Sequence, residues 1–155
     1  KFFNCFYKKL PKTGRGRREG KPMWLLDELK KRKNDDATAI IHRDNRVSYA
    51  ELWKMSEIIA GWMEANLSTK APVLIYGDKD AEIIETMVAA LKTGRAYIPI
   101  DVTFPAERVK RIAEITDAEV LFNLSGKDLS IKTDSLNRIL AKNDVSYISL
   151  NLIYF

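Results

Sequence analysis

Three short apolar runs alternate with helical patterns through the middle of the chain, and this alternation limits the possible folds more than any other feature. The runs "PVLIYG", "AYIPID" and "AEVLFN" each have the length and composition of a buried strand. Between them, apolar side chains recur every three or four residues, which is the period of a helix. Strands and helices that alternate over short connections form parallel sheets covered by helices. We therefore predict an α/β fold, a parallel-type βαβ sheet with helices on its faces.

The segment "LKTGRAYIPID", residues 91–101, joins one of these helices to the next strand. Gly94 is predicted to close the helix in a left-handed conformation, which glycine adopts without a Cβ penalty. We predict a central strand after it. Pro99 lacks a ladder donor and therefore has to lie near the end of this strand or at a sheet edge. Pro105 is predicted to open the following helix in its first turn.

The region before the sheet is predicted to form a short helix, a hairpin and a longer helix. The helix is "MWLLDELKKRKND", and the strands "TAIIHR" and "RVSYA" flank a turn at Asp44-Asn45. Ser48 and Glu51 have the spacing of a capping box and mark the start of the longer helix.

Two apolar stripes are predicted to face the core. The stripe on the longer helix contains Trp and Met, but such stripes are far more typical of a core than of a cofactor site. Its members are Leu52, Met55, Ile58, Ile59, Trp62 and Met63. On the helix after "PVLIYG", the residues predicted to point inward are Ile83, Ile84, Met87, Val88 and Leu91.

The net charge of +5 is concentrated near the N-terminus. Residues 1–33 hold twelve Lys and Arg against three Asp and Glu, whereas the remaining residues hold fourteen against eighteen. Residues 8–22 have no apolar periodicity, so residues 1–22 are predicted to be a basic disordered leader. The folded part, residues 23–155, is mildly acidic, and nucleic-acid binding is therefore not expected of it.

Two features that resemble functional sites have simpler explanations. "GRREGK", residues 16–21, is similar to a phosphate-binding P-loop, but its glycine spacing is one residue short, and Pro22 replaces the Ser or Thr that holds magnesium. His42 is the single histidine. It stands beside a turn without an obvious partner, so we interpret it as a surface strand residue rather than as a base or metal ligand.

The small number of cysteines and the lack of a long apolar run indicate the cell compartment. Cys5 is the single cysteine, which excludes an internal disulfide and is typical of a reducing compartment. No apolar run approaches the roughly 20 residues that span a bilayer. We therefore predict a cytoplasmic protein without a membrane span.

Two stretches carry a family resemblance. "VSYAEL" and "LKTGRAYIPIDVTFPAERVKRIAE" resemble the first two core motifs of the adenylate-forming superfamily, the AMP-binding ligases. Within the superfamily, "VLIYGDKDAEII" is most similar to the D-alanine–D-alanyl carrier protein ligases. The resemblance covers roughly residues 25–145. It implies that residues 23–155 are a truncated N-terminal subdomain of an AMP-binding domain, the incomplete N-terminal part of an adenylation domain.

The resemblance also implies a reaction. Such ligases use ATP and Mg²⁺ to form D-alanyl-AMP, and they then load the thiol of the D-alanyl carrier protein for D-alanylation of teichoic acids. The phosphate loop, the ribose-binding aspartate and the C-terminal lysine of the family have no counterpart in this sequence. We therefore expect the chain alone to be inactive and to bind no cofactor, and we assign no catalytic, cofactor-binding or metal-binding residue. Lys92, Arg95 and Asp101 are interpreted as structural.

Two alternatives remain open at this level. The chain could belong to an amino-acid adenylation domain of a nonribosomal peptide synthetase, although those domains usually have Pro where this chain has Val102 after Asp101. It could also be a free-standing, non-catalytic α/β binding module with a basic tail. The absence of an initiator Met at Lys1 supports the expectation of a fragment. The uncharged, β-prone ending "SYISLNLIYF" predicts an exposed sheet edge and self-association.

Overall fold

The computed structural model describes residues 24–126, residue 129 and the backbone of residues 151–154. The predicted disordered leader, residues 1–22, lies outside the described residues, so its disorder stays a prediction. The described elements in chain order are α1 (Trp24–Lys31), β1 (Thr38–His42), β2 (Asn45–Ser48), α2 (Tyr49–Asn66), β3 (Val73–Gly77), α3 (Ala81–Lys92), β4 (Tyr97–Asp101), α4 (Ala106–Thr116), β5 (Val120–Asn123) and β6 (Asn151–Tyr154).

The predicted parallel sheet is present and is built around β3. Its strand order is β4-β3-β5-β6, and β3 pairs in parallel with both β4 and β5. All five residues of β3 are buried, as expected for a strand covered on both faces. The α/β prediction is therefore confirmed.

Helices cover both faces of the sheet, because successive side chains of a strand point to opposite sides. Val73 of β3 and Phe122 of β5 belong to one apolar cluster with residues of α2 and α3. In this cluster the ring of Trp62 meets that of Phe122 edge to face, with centroids 5.5 Å apart. Leu74 and Tyr76 point the other way and pack with residues of α4. The result is three layers, with α2 and α3 on one side and α4 on the other.

The predicted helix boundaries agree with the observed caps. The backbone amide of Glu51 donates to the Ser48 hydroxyl, and the Glu51 carboxylate accepts a 2.8 Å hydrogen bond from the Ser48 amide. These Ser48 groups hold the pKa of Glu51 below its usual value. At the end of α3, Gly94 has φ of +69° and its amide donates to the Leu91 carbonyl. A side chain at Gly94 would be strained in this left-handed conformation.

Strand β4 corrects one prediction and confirms another. It was predicted to be central, but it lies at the edge of the sheet and pairs within the described residues with β3 alone. Ile100 is buried, whereas Pro99 and Asp101 are exposed. The edge position explains how Pro99 sits in the middle of a strand, since no ladder donor is required on the open side.

The buried face of α3 differs from the apolar stripe that the sequence predicted. Ile83 and Val88 are buried and Met87 and Leu91 are half-buried, but Ile84 is 40% exposed, so its inward assignment was wrong. Glu85, which follows it, is only 5% exposed. The α2 stripe is confirmed as core, with four of its members buried and Met55 and Ile58 half-buried.

Two turns differ from their predictions by one residue. The hairpin turn consists of Arg43 and Asp44, because Asn45 already pairs with His42 in the antiparallel ladder. Arg43 takes a positive φ of 54° there. Pro105 precedes α4 as its N-cap instead of lying in its first turn. Its fixed φ suits either position.

The segment predicted to leave an open sheet edge contains β6. Its residues 151–154 pair antiparallel with β5, so β5 has strands on both sides. The strand character of the ending is therefore confirmed for these four residues. Self-association through an exposed edge of the sheet stays a prediction.

Ser48→Ala tests the capping box. Loss of the hydroxyl leaves the Glu51 amide without its acceptor, and we expect the free energy of unfolding to fall by about 1 kcal/mol. Ser48→Gly is the matched control, because glycine at an N-cap costs only a few tenths of a kcal/mol. Urea denaturation measures both. Equal, negligible losses in the two variants would show that the cap does not stabilise α2.

Candidate functional site

The carboxyl ends of three parallel strands meet at one edge of the sheet. In open α/β sheets this edge is where ligands bind, which makes it the first place to look for a site. Strand β3 ends at Gly77, β4 at Asp101 and β5 at Asn123. Polar side chains follow each of these ends, and we name this region the carboxyl edge.

Asp101 shapes the turn after β4. Its Oδ1 accepts a 2.8 Å hydrogen bond from the Thr103 amide, and its carbonyl accepts one of 3.0 Å from the Phe104 amide. The hydroxyl of Tyr76, from β3, donates to the Val102 carbonyl at 2.9 Å. These contacts fix the path of the chain from β4 toward α4. They agree with the structural interpretation of Asp101.

Asn123 orders the chain after β5 in a similar way. Its side chain is buried, and Oδ1 accepts hydrogen bonds from the Ser125 amide at 3.1 Å and from the Ser125 hydroxyl at 2.7 Å. The Leu124 amide donates to the carbonyl of Tyr76 at 2.8 Å. This pairing holds β5 against β3 at the carboxyl edge.

Gly77, the last residue of β3, lies close to the side chains of Ile83 and Leu124. A Cβ on this residue would lie 2.8 Å from Cδ1 of Ile83 and 3.3 Å from the Cβ of Leu124. The first distance is shorter than real Cβ contacts allow, so a side chain here would displace Ile83. Glycine therefore lets β3, α3 and the chain after β5 approach closely.

His42 has a partner that the sequence did not reveal. Its Nδ1 lies 3.0 Å from Oδ1 of Asp80, the N-cap residue of α3, and both side chains are partly exposed. The pair connects the β1–β2 hairpin to the carboxyl edge. The interpretation of His42 as a partly exposed strand residue agrees with its position, but the assumption that it has no partner was wrong.

Lys92 lies at the opposite end of α3 from the carboxyl edge. Its Nζ is 3.4 Å from the centroid of the Trp53 ring, and it donates to the Trp53 carbonyl at 3.1 Å. Burial lowers the pKa of Lys92 to about 8, and nearby Glu57 opposes that change. The ring and the carbonyl both favour the charged ammonium. Lys92 therefore clamps α3 to α2.

Arg95 is a buried guanidinium that ties three segments together. Its side chain is 1% exposed. The two terminal nitrogens contact Oε1 of Glu64 at 3.2 Å, the carbonyl of Met63 at 3.4 Å and the carbonyl of Thr69 at 3.0 Å. Arg95 thus joins the start of β4 to the end of α2 and to the loop before β3. Its contacts are with the chain itself, in agreement with the structural interpretation.

Metal ligands and membrane helices were also sought in the described part of the chain. Within residues 24–126, no group of three or more His, Cys, Asp or Glu residues is arranged to hold a metal ion. None of the helices described has the length and hydropathy that crossing a bilayer requires. The P-loop-like residues 16–21 lie outside the described residues. That no site residue occurs in the chain stays a prediction.

The chain matches one family profile and several curated proteins that share a name. A family profile described as "AMP-binding enzyme" matches residues 27–151. The D-alanine--D-alanyl carrier protein ligase of Bacillus velezensis is 39% identical over 108 residues, which are 67% of this chain and 22% of that protein. The same-named protein of Bacillus cereus strain AH187 is 34% identical over 129 residues, 81% of this chain and 25% of that protein. The chain thus spans about a quarter of the length of these relatives.

Solved structures share the fold. The N-terminal subdomain of NpsA from Klebsiella oxytoca has a TM-score of 0.58 at 22% identity, over 68% of this chain and 28% of that one. The nonribosomal peptide synthetase FmoA3, in a form bound to α-methyl-L-serine-AMP, has a TM-score of 0.57 at 26% identity, over 63% of this chain and 11% of that one.

Arg95→Met tests whether this guanidinium holds the three segments together. Met retains much of the apolar volume but removes the hydrogen bonds that the buried guanidinium donates to the carbonyls of Met63 and Thr69 and to Glu64, so we expect a loss of about 2 kcal/mol in unfolding free energy. Lys70→Met is the matched control. Lys70 contacts the same Glu64 oxygen at 2.7 Å but is 59% exposed, and its removal should cost less than about 1 kcal/mol. Similar losses for both variants in urea denaturation would contradict the assignment.

Proposed function

The chain belongs to the family of AMP-binding enzymes, and from this premise we propose that it is the N-terminal part of an ATP-dependent ligase that activates D-alanine. In the proposed reaction, the D-alanine carboxylate attacks the α-phosphate of ATP. This gives D-alanyl-AMP and pyrophosphate. The D-alanyl group then passes to the thiol of a carrier protein and is destined for teichoic acids. Because the reaction consumes ATP, we place the ligase in the cytoplasm.

The observation that carries the proposal is the identity to the curated ligases. Identities of 34–39% extend over 67–81% of this chain, and both relatives are named for D-alanine and its carrier protein. The adenylation-domain structures are less similar in sequence, at 22–26% identity. The choice of D-alanine over other carboxylate substrates therefore rests on the curated relatives rather than on the fold.

We assign this chain a supporting role in that reaction. Asp101 and Asn123 accept hydrogen bonds from the turns that follow β4 and β5, and they fix the chain at the carboxyl edge. Lys92 and Arg95 lie away from this edge, where they tie α3 and the start of β4 to α2 and to the loop before β3. Adenylation depends on positioning and on charge stabilisation, so a rigid edge of this kind contributes by holding the neighbouring parts of an adenylation domain in place.

ATP and Mg²⁺ are assigned to other parts of the proposed ligase. A magnesium site uses carboxylate and phosphate oxygens around one ion. Within residues 24–126, no group of three or more His, Cys, Asp or Glu residues is arranged to hold a metal ion. We therefore derive no catalytic step from this chain's own side chains.

A nonribosomal peptide synthetase is the second candidate. Its support is the 26% identity to FmoA3, whose structure contains an aminoacyl adenylate. The two candidates share the adenylation chemistry and differ in the amino acid that is activated. Reading the genomic DNA beyond codon 155 in all three frames and assaying the enzyme that it encodes would separate them. D-alanine-dependent exchange of pyrophosphate into ATP supports the first candidate, and exchange that depends on another amino acid supports the second.

The polypeptide of 155 residues should not catalyse D-alanine-dependent pyrophosphate exchange by itself. Its sequence contains no Ser/Thr/Gly-rich phosphate loop, the segment that would hold the phosphates of ATP in the proposed reaction. The assay measures radiolabelled pyrophosphate incorporated into ATP with and without D-alanine. Exchange above the no-enzyme control would overturn the supporting role.

A chimera tests the supporting role positively. The 108-residue segment that aligns with this chain is replaced in the Bacillus velezensis ligase by the residues of this chain. If the segment is a scaffold, D-alanine-dependent exchange should stay within about tenfold of the unmodified enzyme, equivalent to about 1.4 kcal/mol in the barrier. The same chimera carrying Lys70→Met is the control, because this substitution changes an exposed residue. A chimera that unfolds cooperatively but has no activity would contradict the proposal.

A further inference from the structure

Strand β4 lies at one end of the described sheet and has an open side. It pairs with β3 along its whole length, Tyr97–Asp101 against Val73–Gly77, without a shift in register. Within the residues described, no strand pairs with its other side. An edge of this kind presents backbone amides and carbonyls that can template pairing with another chain, so native proteins protect such edges. The proposed function does not account for the protection of β4.

One hydrogen bond fixes which residues of β4 face the open side. The amide of Val73 donates to the carbonyl of Ala96 at 3.0 Å, so the backbone groups of Ala96 point toward β3. The amide and the carbonyl of one strand residue point to the same side, and those of the next residue point to the other side. Ile98 and Ile100 therefore bond to β3. The backbone groups of Tyr97 and of residue 99 face the open side.

Residue 99, in the middle of this open side, is a proline. Pro99 is exposed and is the central residue of β4. Proline has no amide hydrogen, and its ring carbon Cδ takes the place that this hydrogen would have. A strand that approaches the open side therefore meets a carbon atom at residue 99 where a donor would otherwise be. One ladder hydrogen bond is lost there, and the ring keeps the carbonyl of the approaching strand at a distance.

The rest of β4 is well suited to pairing. Tyr97, Ile98 and Ile100 are aromatic or β-branched, and such residues are enriched in strands. Tyr97 packs against the cluster on the α2 and α3 side and Ile98 against the cluster on the α4 side, but both are only half-buried. Lysines and bulges protect many other edges, but β4 contains no Lys and its pairing with β3 has no bulge. Pro99 is therefore the protective feature of this strand.

We propose that Pro99 keeps the open edge of β4 from pairing with the same edge of a second copy of this chain. A second copy is the partner because it presents an edge of the same length and composition, and two identical strands can pair antiparallel about a twofold axis. With Pro99 in place, this pairing lacks hydrogen bonds at its centre. Association through other parts of the chain, such as the self-association predicted for its ending, does not involve Pro99.

The small number of residues on the open side makes Pro99 unavoidable in such a pairing. Residues 97, 99 and 101 face the open side, and the carbonyl of Asp101 already accepts a hydrogen bond from the Phe104 amide. A ladder with a second copy therefore depends on Tyr97 and Pro99. Every antiparallel register that uses both of them includes residue 99 of each copy by symmetry. One hydrogen bond from each copy is then missing.

The test compares the full chain with Pro99→Thr by light scattering over a range of protein concentrations. Thr restores an amide on the open side and, being β-branched, suits an exposed position in a strand. The variant should associate with itself on the order of tenfold more tightly than the unaltered chain, since each copy regains one ladder hydrogen bond.

Pro105→Thr is the matched control. Pro105 is also exposed, but it is the N-cap residue of α4 and lies outside the strand. Thr is a favoured N-cap residue, so this variant should fold and should associate no more than the unaltered chain does. Equal association of the three proteins would overturn the proposal, and so would an equal increase in both variants.

A second measurement uses the unaltered chain and does not depend on the folding of a variant. Hydrogen exchange of the Tyr97 amide is followed by NMR at low and at high protein concentration, and the Ile98 amide, which faces β3, is the internal reference. The proposal predicts that the Tyr97 amide exchanges faster than the Ile98 amide, at a rate that does not depend on concentration. Protection of the Tyr97 amide that increases with concentration would show that the edge pairs in spite of Pro99, which contradicts the proposal.

Discussion

The burial of β3 on both faces is the constraint from which the rest of the fold follows. A strand removed from water on both sides must pair its backbone groups with neighbouring strands, because unpaired polar groups are costly to bury. Strands β4 and β5 provide this pairing. Its alternating side chains then need an apolar layer above and below, which α2 and α3 supply on one face and α4 on the other. Arg95 fixes the start of β4 against the end of α2 and the loop that leads into β3.

The layers were predictable because they depend on local patterns, whereas the errors arose where distant segments determine burial. The runs that became β3 and β5 are continuously apolar, and the capping box of α2 lies within four consecutive residues. For β4, an apolar composition suggested a central strand, although Pro99 already indicated an edge. On α3, hydropathy favours Ile84 over Glu85 as the inward residue. The packing of α2 and the hairpin against α3 reverses that order, and no pattern within α3 contains this information.

The same distinction applies to the candidate site. The interpretation of Lys92, Arg95 and Asp101 as structural residues rests on the family motif, but the motif could not predict their partners. Arg95 bonds to residues at the end of α2 and in the next loop, and His42 contacts Asp80 across a distance in sequence that no short motif spans. The Arg95 contacts join the start of β4 to the end of α2 and to the loop before β3, whereas Asp101 and Asn123 order the turns at the carboxyl edge. That this edge holds no catalytic residue stays a prediction.

Amide hydrogen exchange of the full chain, resolved by NMR or mass spectrometry, tests most directly whether β3 is the buried centre of the fold. Exchange of the most stable core amides requires global unfolding, whereas peripheral amides exchange by local opening. The account predicts that the amides of Val73–Gly77 are the slowest in the described part of the chain. It predicts that those of α1, which has no buried residue, are among the fastest. Exchange of the β3 amides at the rate of the α1 amides would contradict the account.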